Sequence, residues 1–153
     1  MSGLRLLRSL DSKGEECLSG VRCLLDASAV YPLLIELREK VLEYIDLFTV
    51  LDLTIYEVGN AIWKSYRRGK LTNIDTVTKL FEEVLGSVKK LGIGNEIGEV
   101  LQIAIENNLT FYDASYLYIA RKYSLKLVTE DQELLSFPEA LSVKDFVKEL
   151  KPR

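Results

Sequence analysis

A short apolar run, Val21-Arg22-Cys23-Leu24-Leu25, stops at Asp26, and the apolar residues that follow, Ala29, Val30, Leu33, Leu34 and Leu37, recur at helical spacing. A buried strand that ends in an acid and passes straight into a helix is the opening of a crossover between parallel strands. In open α/β sheets ligands bind beyond the carboxyl ends of the strands, which is where Asp26 stands. Asp is also a favoured N-cap residue, its side chain accepting hydrogen bonds from the first free amides of a helix. Asp26 alone does not separate capping from chemistry; other acids must arrive at the same edge.

The rest of the chain repeats the pattern. Residues 47–51, Leu-Phe-Thr-Val-Leu, are β-formers, and Thr54-x-x-Glu57 then reads as a capping box opening a helix with Val58, Ala61, Ile62, Ser65 and Tyr66. Arg67-Arg68-Gly69-Lys70 closes that helix with cations that suit its negative end. Thr72-x-x-Asp75 begins a second helix that runs to Lys89-Lys90, so the middle of the chain reads as a helical insertion. The glycines at 92, 94 and 98 are no dinucleotide fingerprint, because the third comes one place late and no strand is expected before them. A helix over residues 95–107 ends at Asn107-Asn108, and a short extended segment, Leu109-Thr110-Phe111-Tyr112, leads to Asp113 and another helix. Residues 125–129 read as a strand ending near Asp131, residues 138–141 as an edge strand, and Ser142-x-x-Asp145 caps a terminal helix. Residues 1–20, punctuated by glycine and serine, are expected to form a flexible N-terminal extension to a domain spanning 21–150.

Composition narrows the chemistry. With 153 residues, 48% of them hydrophobic, the chain suits one domain with a substantial core. Twenty Lys and Arg against 23 Asp and Glu leave no global basic field, so any polyanion must be held locally. There is no His, which excludes imidazole-dependent hydrolase triads, and Cys17 and Cys23 alone make neither a zinc-ligand set nor a disulfide framework. A buried thiol is expected at Cys23. No stretch approaches the length of a membrane span, and the start is too broken for a signal-peptide core, so a cytoplasmic location is expected.

Asp26, Glu57, Asp113 and Asp131 each stand where a strand or extended run gives way to a helix. Parallel strands would place those junctions on one edge of the sheet, so the four acids converge. Packed carboxylates repel one another unless a hard divalent cation neutralises them, and Mg²⁺ and Mn²⁺ prefer such all-oxygen surroundings. Four independent caps are the alternative.

The run Leu24-Leu25-Asp26-Ala27-Ser28, the Thr54-x-x-Glu57 helix with Asn60, the run Tyr112-Asp113-Ala114-Ser115-Tyr116 and the run Leu127-Val128-Thr129-Glu130-Asp131 together resemble the PIN-domain nucleases, most closely the VapC-type toxins of prokaryotic toxin–antitoxin pairs. The resemblance covers about residues 21–150 and implies a three-layer α/β/α domain with a central parallel sheet and an acidic pocket that cleaves RNA with Mg²⁺ or Mn²⁺. It assigns Asp26, Asp113 and Asp131 to the metal and Glu57 to completing the pocket and orienting the attacking water. It places Ser28 and Thr129 at supporting hydroxyl positions; Glu130 reads as a solvated neighbour. It also implies a homodimer and a protein antitoxin that silences the groove.

Phosphate contacts are expected from Lys64, Arg67, Arg68 and Lys70, with Arg121 and Lys122 next. Trp63 and Tyr112 can stack on bases, although core packing is the commoner use of such side chains. A haloacid-dehalogenase-like phosphatase would need a second acid two residues after the first, where this chain has Ser28. A stand-alone RNA-processing nuclease and a non-catalytic interaction module are the remaining alternatives.

Overall fold

Five short runs, all but one of them mainly apolar or β-branched, pair into one parallel sheet: β1 (Cys23–Leu25), β2 (Phe48–Leu51), β3 (Lys89–Leu91), β4 (Lys126–Val128) and β5 (Ala140–Leu141), in the order β3-β2-β1-β4-β5. The computed structural model describes residues 22–150, together with the backbone of an antiparallel ribbon, Ser9–Leu10 with Glu16–Cys17. Apart from that ribbon, the extension expected over residues 1–20 lies outside the described residues.

Strand periodicity divides the core in two. Cys23, Leu25, Phe48, Val50 and Val128 face one side of the sheet, where α1 (Ala27–Leu37), α3 (Ile74–Ser87) and α7 (Val143–Glu149) supply Leu33, Phe81 and Phe146. Leu24, Leu51 and Leu127 face the other side, against Tyr116, Ile119 and Ala120 of α5 (Phe111–Lys122). Outside α5 lies α4 (Ile97–Asn107), joined to it through Val100, Ala104 and Ala114. The expected three layers are therefore present, and Cys23 is a buried free thiol whose pKa burial pushes up. Among the described residues no helix is long and apolar enough to cross a membrane.

Several local expectations change. The connection from α1 to β2 is a 3-10 segment, Arg38–Leu47, that buries Val41, Tyr44 and Leu47. The strand not expected before Gly92 is β3; its charged Lys89-Lys90 suits an exposed sheet edge, and Lys90 Nζ donates to Leu85 O at 2.6 Å at the end of α3. The central helices, α2 (Asp52–Arg67) and α3, thus cross from β2 to its neighbour β3. Thr54 does not begin α2: it lies in the first turn, and its Oγ1 accepts the Leu51 amide at 3.1 Å, so Glu57 belongs to no capping box. Asn73, rather than Thr72, caps α3. No extended segment precedes Asp113, because Thr110 caps α5 directly and Phe111 and Tyr112 are already helical. Ser142 caps α7 as expected.

This strand order has a switch point. The chain moves from β1 through β2 to β3 in one direction, then returns to β4 on the far side of β1. Connections leaving β1 and β4 diverge there, and the crevice they leave is the favoured ligand position of an open α/β sheet.

Candidate active site

Asp26 follows β1 at that crevice, and residues 129–131 follow β4 directly opposite, since Leu25 pairs with Val128. Asp26 is 5% exposed and serves as the N-cap of α1, Oδ1 accepting the Ala29 amide at 3.1 Å. Two hydroxyls complete its shell: Ser28 Oγ donates to Oδ1 at 2.6 Å, and the wholly buried Thr129 Oγ1 donates to Oδ2 at 2.6 Å. The same hydroxyl oxygens accept backbone amides, Ser28 Oγ from Glu130 and Thr129 Oγ1 from Asp131, each at 3.0 Å. One carboxylate therefore ties together the two strand ends that flank the crevice. Its pKa is nonetheless pushed up to about 6, because desolvation outweighs these three hydrogen bonds and Glu57 adds repulsion.

Glu57 reaches the site from the second turn of α2. Its Oε1 accepts the Tyr116 hydroxyl at 2.7 Å, and its pKa is raised, chiefly by burial, with repulsion from Asp113 adding to it. Asp113 lies in the first turn of α5, where it and Thr110 satisfy each other: Thr110 Oγ1 accepts the Asp113 amide at 3.1 Å and donates to Asp113 Oδ2 at 3.0 Å. Burial raises the Asp113 pKa and repulsion from Asp131 raises it further. Asp131 caps α6 (Gln132–Leu135), its Oδ1 accepting the Glu133 and Leu134 amides at 2.9 and 3.1 Å.

Capping and convergence therefore coexist. Three of the acids are helix-start acids, yet the four form a chain of mutually repelling neighbours, Asp26 to Glu57 to Asp113 to Asp131. Among the described residues no three acids close into a ready-made ligand set. An all-oxygen group of repelling carboxylates nonetheless fits Mg²⁺ or Mn²⁺ chemically, and Mg²⁺ in particular is usually held through one or two carboxylates with water in its other positions. Asp26, Asp113 and Asp131 are the residues that would hold it.

Other expectations sort cleanly. Glu130 is not merely a solvated neighbour: its Oε1 accepts the Val143 amide at 2.8 Å and so fastens the start of α7. Arg121 and Lys122 are paired with Glu139 and Glu96 at 2.8 and 2.6 Å. Lys64, Arg67, Arg68 and Lys70 are exposed, and no acid stands between residues 58 and 70. Trp63 and Tyr112 are not core residues: Trp63 is half exposed, with Arg67 over its ring at 5.5 Å, and Tyr112 is exposed. Tyr116 and the site role of Thr54 escaped the sequence reading. The one signal for them was that Tyr116 lies three residues after Asp113, on the same face of one helix.

The chain is similar to exonuclease VapC9 of Pyrobaculum aerophilum, with 43% identity over 116 residues that make up 76% of this chain and 85% of that protein. The chain belongs to the VapC family. A second VapC relative, ribonuclease VapC3 of the same organism, is 33% identical over 123 residues, 74% of this chain and 92% of that protein. Among solved structures, PAE2754 from Pyrobaculum aerophilum superposes with a TM-score of 0.76 at 40% identity, covering 84% of this chain and 96% of that one. A toxin–antitoxin complex from Klebsiella pneumoniae shares the fold at TM-score 0.56 and 17% identity, covering 79% of this chain and 97% of that one. No protein-family model matches the chain.

Proposed function

We propose that this VapC chain is a metal-dependent ribonuclease that hydrolyses RNA phosphodiester bonds and acts as the toxin of a toxin–antitoxin pair. The observation that carries this reading is the buried Asp26 carboxylate, held by three donors at the switch point and repelled by Glu57. The names of the two relatives and of the Klebsiella complex support the nuclease and antitoxin assignments. A bound divalent cation would lower the pKa of a coordinated water and offset charge on the phosphate, tasks that need no His.

The chain's own residues do the rest. Ser28 and Thr129 fix the plane of Asp26, and Asp131 is set by the same Thr129 hydroxyl through its amide. Glu57 orients the attacking water and takes its proton; its raised pKa moves a carboxylate toward the range in which a general base works near neutrality. Lys64, Arg67, Arg68 and Lys70 bind phosphates beside the site. Lys64 lies two helical turns beyond Glu57, about 10 Å along the axis of α2. Two copies associate, and the exposed row Ile97, Leu101 and Ile105 on α4 supplies apolar surface for that contact.

The deciding experiment incubates a structured RNA with the purified protein in Mg²⁺, Mn²⁺ or chelator. Cleavage is expected only with the cation, which should also raise the melting temperature because it binds the folded state alone. Absence of both effects would remove the metal-dependent nuclease reading. The cationic stretch has its own test: Lys64→Ala with Arg68→Ala should weaken RNA binding and flatten log K against log salt by about 0.7 for each phosphate no longer neutralised. An unchanged salt slope would place the RNA elsewhere.

A further inference from the structure

We propose that Tyr116, backed by Thr54, is the positioning residue for Glu57, delivering a one-way chain of hydrogen bonds from the end of β2 to the Glu57 carboxylate. The direction of each link follows from proton counting. An ionised carboxylate carries no proton, so at 2.7 Å the Tyr116 hydroxyl is the donor and Glu57 Oε1 the acceptor. That uses the only proton of the phenol. The Thr54 hydroxyl, 2.7 Å from the Tyr116 oxygen, must then donate to it. Thr54 Oγ1 in turn accepts the Leu51 amide at 3.1 Å. Amide, threonine, tyrosine and carboxylate form a series in which each donor polarises the next.

The chain is anchored in the buried core. Tyr116 is 1% exposed among Leu24, Leu51 and Ile119, and Thr54 is wholly buried. Phe would fill the same volume, so the hydroxyl is not a packing requirement. What it adds is a fixed donor for one oxygen of a long side chain on a partly exposed helix turn, while Oε2 makes no hydrogen bond among the described residues. The α5 helix thereby sets two acids at once, carrying Asp113 in its first turn and holding Glu57 of α2 through Tyr116.

This inference rests on the nuclease reading above. The test measures kcat and KM for RNA cleavage with Mg²⁺ or Mn²⁺ in wild type, Tyr116→Phe, Glu57→Gln and the double variant, with melting temperatures as a folding control. Tyr116→Phe should lower kcat by about 10–100-fold, the usual scale for losing a partner that orients a site residue. KM should stay unchanged, and in the Glu57→Gln background the same substitution should cost nothing further. Thr54→Ser should retain the rate and Thr54→Val should not; if Tyr116→Phe does not fold, Thr54→Val breaks the same chain one link earlier and carries the test. Wild-type kcat in Tyr116→Phe, or an equal loss in both backgrounds, overturns the proposal and leaves the nuclease reading intact. A wild type that cleaves no RNA overturns both.

Discussion

Asp26→Asn is expected to abolish RNA cleavage while making the metal-free protein more stable at neutral pH. The activity loss should be about 10²–10³-fold or greater, the scale on which a group stabilising charge in a water-excluded site acts. Asn keeps the size and can keep the hydrogen-bonded frame: its oxygen still accepts the Ser28 hydroxyl and the Ala29 amide, and the Thr129 hydroxyl rotates to accept from the new NH2 group where it now donates. It loses the charge. The opposite sign of the two effects distinguishes a functional carboxylate from a structural one, whose removal would lower stability and activity together.

The stability effect follows from linkage. The Asp26 pKa is raised from 3.8 to about 6, so between those values the folded protein holds a proton that the unfolded chain has released. Stability in chelator therefore falls as pH rises from about 4 to about 6, by at most about 3 kcal/mol from this residue. Glu57 and Asp113, also raised, contribute with the same sign. In Asp26→Asn the Asp26 share disappears, and denaturant midpoints measured across that range should flatten. A wild-type profile that rises with pH across this window would contradict the burial-driven shift.

Much of this site was legible because its residues are local. Asp26, Asp113 and Asp131 announce themselves as acids at helix starts: Asp26 and Asp131 cap α1 and α6, and Asp113 sits in the first turn of α5 bonded to its cap, Thr110. The alternation of apolar runs and helical spacing pointed to the parallel sheet because strand faces must alternate between two helix layers, as Leu24 and Leu25 do. The β3 strand was hidden because an edge needs no apolar sequence: Lys89 and Lys90 pair through their backbones, and both residues remain exposed at the sheet edge. The segment before Asp113 misled because Phe111 and Tyr112 favour strands, yet the Thr110 hydroxyl commits the backbone to a helix one residue earlier. Glu57 and Tyr116 meet across 59 positions of sequence, and no local pattern specifies such a pair.

Thr129→Val tests whether the switch-point network is one unit. The isosteric change removes the donor to Asp26 Oδ2 and the acceptor of the Asp131 amide, both at a position with no exposure. Leaving buried partners unsatisfied should cost about 1–3 kcal/mol of stability. Because the Thr129 hydrogen bond lowers the Asp26 pKa, its loss should drive that carboxyl further up and weaken its hold on a cation. Cleavage should fall by about 10–100-fold, with more Mg²⁺ needed for half-maximal activity. Thr129→Ser restores both hydrogen bonds and gives up only a methyl, worth about 0.8 kcal/mol of burial, so its metal requirement should match wild type. A Val variant with an unaltered Mg²⁺ requirement would mean that Asp26 is held by Ser28 and the α1 amide alone. The β4 end would then contribute Asp131 independently, and the two halves of the crevice would be joined only through the sheet.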